Sequence, residues 1–178
     1  MNTQASILVL LTICIINVIK ADPCSHTEYF MLDDHTRNVN YGFDNYCCDY
    51  SGDIERSPDW AGPNWYRMVG PAGTMLSEIA TQAYHCNAGE TGWLNGVHPT
   101  MEDGTVTRSV CFTKNEDTCR YQTEIQVRNC GFFFVYFLPD VNLCSLRYCS
   151  SFWINIQYYF ALFVHYHYIV HSHLRDVH

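Results

Sequence analysis

The clearest alternation in the chain runs from Tyr121 to Arg128. Tyr121, Thr123, Ile125 and Val127 fall on one face, and Gln122, Glu124, Gln126 and Arg128 on the other. A period of two is the mark of a half-buried strand. Asn129-Cys130-Gly131 then predicts a turn into the apolar run 132–138, FFFVYFL, which suits a central strand closed by Pro139-Asp140. Upstream, 105–112 reads as a strand with Val106, Val110 and Phe112 on one face, introduced by the turn pair Asp103-Gly104. WYRMVG (65–70) sets Trp65, Arg67 and Val69 against Tyr66 and Met68, a further short strand ended by Pro71-Ala72-Gly73. Residues 74–84 are ambiguous. Met75, Ile79 and Ala83 have helical spacing, yet the run is short enough to be extended. WLNGVHP (93–99) reads as a turn built on Asn95-Gly96 and stopped by Pro99. Residues 22–64 are rich in Asp, Asn, Gly and Pro, which predicts loops and tight turns. The fold class is therefore all-β or β-rich, with long N-terminal loops and a central β-hairpin.

The cysteines change this from a loose collection of strands to a stapled one. The 178 residues hold ten, and six lie between 86 and 149: Cys86, Cys111, Cys119, Cys130, Cys144 and Cys149. No C-x-x-C pair points to zinc or to a dithiol redox motif. An oxidising compartment and a small disulfide-stapled extracellular domain explain the count better. Net charge is −8, which argues against a general nucleic-acid binder. The acidic residues concentrate in 22–59, where a solvated, loop-rich face is the favoured reading. A calcium site has little support, since no EF-hand spacing is present.

Both ends differ from the middle. Residues 6–19, SILVLLTICIINVI, have the length of a signal-peptide apolar region, with cleavage placed after Ala21. That gives a signal peptide over 1–21, a domain over 22–149 and an aromatic, histidine-rich tail over 150–178. Within the tail, 152–170 comes near the roughly 20 residues that a membrane helix needs, although Asn155, Gln157, His165 and His167 are costly there.

Several stretches resemble one family. Asp22-Pro23-Cys24, Cys48-Asp49, WYRMVGPAGTML (65–76), WLNGVHP (93–99), DGTVTRSVC (103–111), IQVRNCGFFFVYFL (125–138) and CSLRYC (144–149) occur in order. They are similar to the eight-cysteine domain of the uromodulin and pancreatic secretory-granule membrane glycoprotein family. Eight cysteines alone permit 105 pairings. The resemblance implies Cys24 with Cys130, Cys48 with Cys144, Cys86 with Cys149, and Cys111 with Cys119. A fifth bridge of some relatives has Ala80 and Thr118 at its two positions here. Cys47 is then left over: a free thiol by default, with exchange against Cys48 or a covalent dimer as alternatives. The N-glycan site of relatives at the tryptophan-leucine-asparagine-glycine turn is missing, because Asn95-Gly96-Val97 lacks Ser or Thr.

No catalytic motif is present: neither G-x-S-x-G, a P-loop, G-x-G-x-x-G nor H-E-x-x-H occurs. The nearest candidates for acid, base or nucleophile are His98, Asp103 and Cys47, for which a structural or surface role, a turn role and a free thiol, respectively, are favoured. The tail carries His165, His167, His171 and His173, of which His167 and His171 would share a face if it were helical, but nothing fixes a metal geometry. The expectation is thus a secreted, non-enzymatic interaction or adhesion module without catalytic residues, metal or cofactor. Its partner would be an extracellular protein or carbohydrate, met by Trp60, Trp65 and Trp93 and by tyrosine-rich loops. Trp93, Asn95 and His98 are the binding candidates. The alternative is a membrane-tethered adhesion or receptor fragment anchored by 152–170, with the domain outside.

Overall fold

The computed structural model describes residues 21–44 and 48–152. Nine strands follow in chain order: β1 (Phe30–Leu32), β2 (Asn64–Met68), β3 (Met75–Leu76), β4 (Glu90–Asn95), β5 (Thr105–Lys114), β6 (Asp117–Asn129), β7 (Phe134–Leu138), β8 (Leu146–Tyr148) and β9 (Ser150–Ser151). The fold is β-rich, and among the described residues regular helix is confined to two 3-10 turns, at His35–Arg37 and Gly70–Ala72. Seven strands make one sheet in the order β1-β2-β7-β6-β5-β4-β8, and β3 pairs with β9 in a small second sheet.

β6 lies at the centre of the sheet and carries the alternation that marked it in the sequence. Ile125 and Val127 are buried, whereas Gln122 and Glu124 face solvent. β5 and β6 form the long hairpin, in register from Thr105 opposite Arg128 to Phe112 opposite Tyr121. β7 returns antiparallel beside β6, with Val127 opposite Tyr136. The turn between them uses Gly131 at φ 90°, a left-handed conformation that glycine adopts without a Cβ penalty. The strand starts at Phe134 rather than at the head of the apolar run, and Phe132 projects from the turn, 95% exposed.

One open reading is resolved and one expectation changes. Residues 74–84 form no helix: Met75 and Leu76 are a short buried strand, while Ile79 is 79% exposed. The turn expected over 93–99 begins only after Asn95, because Trp93, Leu94 and Asn95 end a full strand, β4. Its alternation is hidden because Glu90, Thr91 and Gly92 are buried between two partners, β5 and parallel β8. Gly92 is required by this crowding. A Cβ there would lie 2.6 Å from the Phe112 ring and 2.8 Å from the Arg147 carbonyl.

The core fills one face of the sheet. Trp60 stacks on Tyr66 with ring centroids 4.8 Å apart, and it is 3% exposed. Trp60 is therefore a core residue, not an aromatic offered to a partner. Around it pack Leu32, Met68, Phe112, Ile125, Val127, Tyr136, Leu138, Leu146 and Tyr148. Side chains of this size each contribute about 1.5–3 kcal/mol on burial. The tyrosine hydroxyls remain partnered: Tyr66 donates to the Gly62 carbonyl at 2.6 Å, and Tyr148 to that of Pro139 at 2.9 Å. Trp65 lies on the other face of β2, half-buried against Phe137.

Candidate functional site

The loop that leaves β4 is exposed at its tip and fastened underneath. Asn95 faces solvent and Val97 is 68% exposed. Three sets of hydrogen bonds hold the loop. Trp93, opposite Cys111 in the β4–β5 register, donates its indole Nε1–H to the Thr118 carbonyl at 2.9 Å. Arg108 donates from Nε to the Val97 carbonyl at 3.0 Å. Both the His98 amide and its Nδ1 reach Glu78 Oε1, at 2.8 and 2.5 Å, and His98 Nε2 meets the Tyr136 hydroxyl at 2.7 Å. The His98 side chain is only 5% exposed. Of the three binding candidates, Asn95 is therefore open to a partner, Trp93 is half-buried with its N–H engaged, and His98 lies beneath the loop. Asp103 accepts from the Thr100 amide at 2.7 Å and hydroxyl at 2.8 Å, which is a turn-forming role.

Three disulfides fasten the sheet to its loops. Cys24–Cys130 ties the N-terminal segment to the β6–β7 turn across 106 residues of sequence. Cys86–Cys149 spans 63 residues and Cys111–Cys119 spans 8. The expected Cys48–Cys144 bridge is not closed in this structure. Both are free thiols, Cys48 buried and Cys144 exposed. The sulfurs and an Asp53 carboxylate oxygen all lie within 4.8 Å of one another, so the two thiols are neighbours without the roughly 2.05 Å contact of an S–S bond. Cys48 points its thiol at Asp53, 3.8 Å away. Burial pushes the Cys48 thiol up to about 12. The hydrogen bond to Asp53 raises that of Cys144. Both sulfurs are therefore protonated at neutral pH and are slow nucleophiles. What favours a bridge is the closeness of the two sulfurs, not their reactivity. Among the described residues, this is a cluster of three potential metal ligands where none was expected. Cys47 and the tail beyond Phe152 lie outside the described residues, as do the tail histidines and all of the expected leader except Ala21.

The acidic front half is loop-rich and much of it faces solvent, as its composition suggested, but three of its carboxylates, Asp34, Asp49 and Asp59, turn inward. Arg37 is fully buried and lies between two carboxylates. Its Nη1 and Nη2 each donate to Asp49 at 2.8 Å, and its Nε donates to Asp59 at 2.8 Å. Asp49, itself buried, also accepts the Tyr148 amide of β8 at 2.9 Å. A second buried arginine, Arg147 on β8, donates to Asp34 at 2.7 Å, to the Thr36 hydroxyl at 2.8 Å and to the Cys86 carbonyl at 3.0 Å. Burial opposes ionisation of Asp59 and of Asp34. The neighbouring arginines and amide donors outweigh it and hold both carboxyls below the usual range. These residues weld the N-terminal loops to the sheet edge. The only sequence signals were two arginines, at 37 and 56, in an acidic stretch and the dipeptides Cys48-Asp49 and Arg147-Tyr148. Neither shows which groups meet across about a hundred residues of chain.

Among the described residues, no helix is long and apolar enough to cross a membrane. Residues 66–150 match the family model of the uromodulin-like eight-cysteine domain. The chain is 36% identical over 132 residues to uromodulin of Mus musculus, covering 73% of this chain and 18% of that one. It is also 36% identical over 138 residues to the pancreatic secretory granule membrane major glycoprotein GP2 of Canis lupus familiaris, covering 77% of this chain and 25% of that one. With the human GP2 protein it shares 33% identity over 130 residues, 72% of this chain and 22% of the relative. The chain thus spans a quarter or less of the length of these relatives. These matches support an extracellular disulfide-bonded module, and by them the chain belongs to the uromodulin-like eight-cysteine domain family.

Proposed function

We propose that the chain is a secreted, non-enzymatic interaction module that meets an extracellular protein or carbohydrate through the loop following β4. The observation that carries this reading is a contrast within one short segment. The side chains of Asn95, the last residue of β4, and Val97, in the loop after it, are exposed, while Trp93, His98 and the Val97 carbonyl are held by Thr118, Glu78, Tyr136 and Arg108. A preorganised exposed loop loses little entropy on binding. The buried ionisable groups support the same conclusion. Arg37, Arg147 and Asp49 are taken up by partners inside the protein, which leaves them engaged in holding loops rather than aimed into a cleft.

The test uses the secreted protein as a probe on glycan arrays and on intact cells. Asn95→Ala combined with Val97→Asp alters only exposed side chains. It is expected to reduce binding by about fivefold or more, the effect of losing one energetically important contact, with unchanged thermal unfolding. Equal binding by the double variant would contradict a role for the loop. A second reading, tethering through 152–170, is favoured by the apolar length of that segment. Carbonate extraction separates the two readings, because a spanning chain stays with the pelleted membrane.

A further inference from the structure

The groups beneath the loop form a directional chain of hydrogen bonds. The Leu76 amide of β3 donates to the Tyr136 hydroxyl at 3.1 Å. That hydroxyl, on a fully buried tyrosine, has one proton to give, and its other neighbour is His98 Nε2 at 2.7 Å. The Glu78 carboxylate only accepts, so the proton of a neutral His98 ring sits on Nδ1, directed at Glu78 Oε1, and Nε2 is left to accept from the Tyr136 hydroxyl. The relay fixes three elements to one another: β3 with its following segment, the loop after β4, and β7.

We infer that His98 is a pH-sensitive latch, whose protonation at Nε2 releases the β3 segment and the loop after β4 from β7. A proton on Nε2 makes that nitrogen a donor. The Tyr136 oxygen then faces two donors, Leu76 N–H and Nε2–H, while its own proton loses its acceptor. Among the described residues that hydroxyl makes no other hydrogen bond. A buried donor without an acceptor is costly, so the chain opens where it is weakest, at the long Leu76 contact.

The charged and titratable groups around the ring are Glu78 from the segment after β3, Arg108 from β5 and Tyr136 from β7, and the Phe134 ring packs against it at 4.3 Å. Burial holds the His98 pKa below the ordinary histidine value. Glu78 works in the opposite direction and Arg108 adds to the lowering. The folded pKa is thus below the unfolded one. The latch stabilises fully above about 6.5, and its contribution is lost as pH falls through the lower folded pKa. Such a window is met by proteins moving through acidic compartments.

The test is an NMR titration of the intact secreted protein from about pH 7.5 to about pH 5. It follows the His98 ring and the hydrogen exchange of the Leu76 amide, corrected for intrinsic rates. His98 is expected to titrate below its ordinary value. Leu76 exchange should quicken by about tenfold across the same midpoint, the factor set by one lost buried hydrogen bond. In His98→Gln, which cannot take up the proton, that acceleration should vanish. If that variant does not fold, Tyr136→Phe serves instead, and its Leu76 amide should exchange quickly at both pH values. Overturning results are a Leu76 amide indifferent to His98 titration, an acceleration that survives in His98→Gln, or a pH-dependent Leu76 amide in Tyr136→Phe. The readout needs no partner, so it stands or falls apart from the proposed loop-binding function.

Discussion

Replacing Arg37 by methionine is expected to lower folding stability by about 3–5 kcal/mol, among the largest effects of any single substitution in this chain. The side chain is fully buried, and two carboxylates depend on it. Asp49 is bidentate to its Nη atoms at 2.8 Å, and Asp59 accepts from its Nε at 2.8 Å. Methionine fills much of the volume but removes the guanidinium paired with both anions, leaving Asp59 only the attraction of Arg147. The penalty is then mainly the desolvation of unpaired charge, not the lost attraction. The triple change Arg37→Met, Asp49→Asn, Asp59→Asn should therefore recover part of the loss. Urea unfolding of the three proteins provides the check, and a single variant within about 1 kcal/mol of wild type would refute the assignment. A pH dependence follows from the same groups. Asp34 and Asp59 ionise in the folded protein below the usual carboxylate range. Their contribution is complete above the unfolded value of about 4 and is lost as pH falls through the lower folded values.

The second large effect is expected from the bridge that closes the longest loop. Cys24→Ser with Cys130→Ser removes a link across 106 residues. In the chain-entropy model such a loop is worth about 4–5 kcal/mol, against about 2–3 kcal/mol for a loop as short as that of Cys111–Cys119. The ranking is a stronger expectation than either value, because both pairs belong to one fold and one unfolded ensemble. The paired serine variants should separate in denaturant midpoint in that order. The Cys24/Cys130 variant should also become sensitive to protease within 22–44, since that bridge joins this segment to the β6–β7 turn. Equal midpoints together with unchanged cleavage of 22–44 would contradict this account of how the N-terminal loops are held.

What the sequence revealed follows from burial. β6 was legible because one face meets the core and the other meets water, so Ile125 and Val127 alternate with Gln122 and Glu124. β4 was not, because it is enclosed by β5 and β8 and shows Glu90, Thr91 and Gly92 where an alternating pattern would be sought. β1 and β8 are three residues long, too short for any period to emerge. Trp60 was misplaced because a tryptophan close to Asp59 and Gly62 reads as loop, and only the fold shows its ring lying on Tyr66. The inward-turned carboxylates of the acidic stretch are hidden in the sequence for a related reason. Composition records the excess of carboxylates but not that Arg37 and Arg147 draw Asp34, Asp49 and Asp59 inward. In the sequence His98 reads as a residue of structural or surface role and as a binding candidate. Its role beneath the loop depends on Glu78 and Tyr136, which lie 20 and 38 residues away.

The central claim is that oxidised cysteines bind the acidic N-terminal loops to a β-sheet outside the cell. Peptide mapping of the natively secreted, unreduced protein by mass spectrometry tests it most directly. The account predicts linked peptides for Cys24–Cys130, Cys86–Cys149 and Cys111–Cys119. It also predicts that Cys48 and Cys144, poised within 4.8 Å in this structure, are joined to each other once an oxidant has acted on them. Quantitative alkylation of those eight thiols without prior reduction would contradict it.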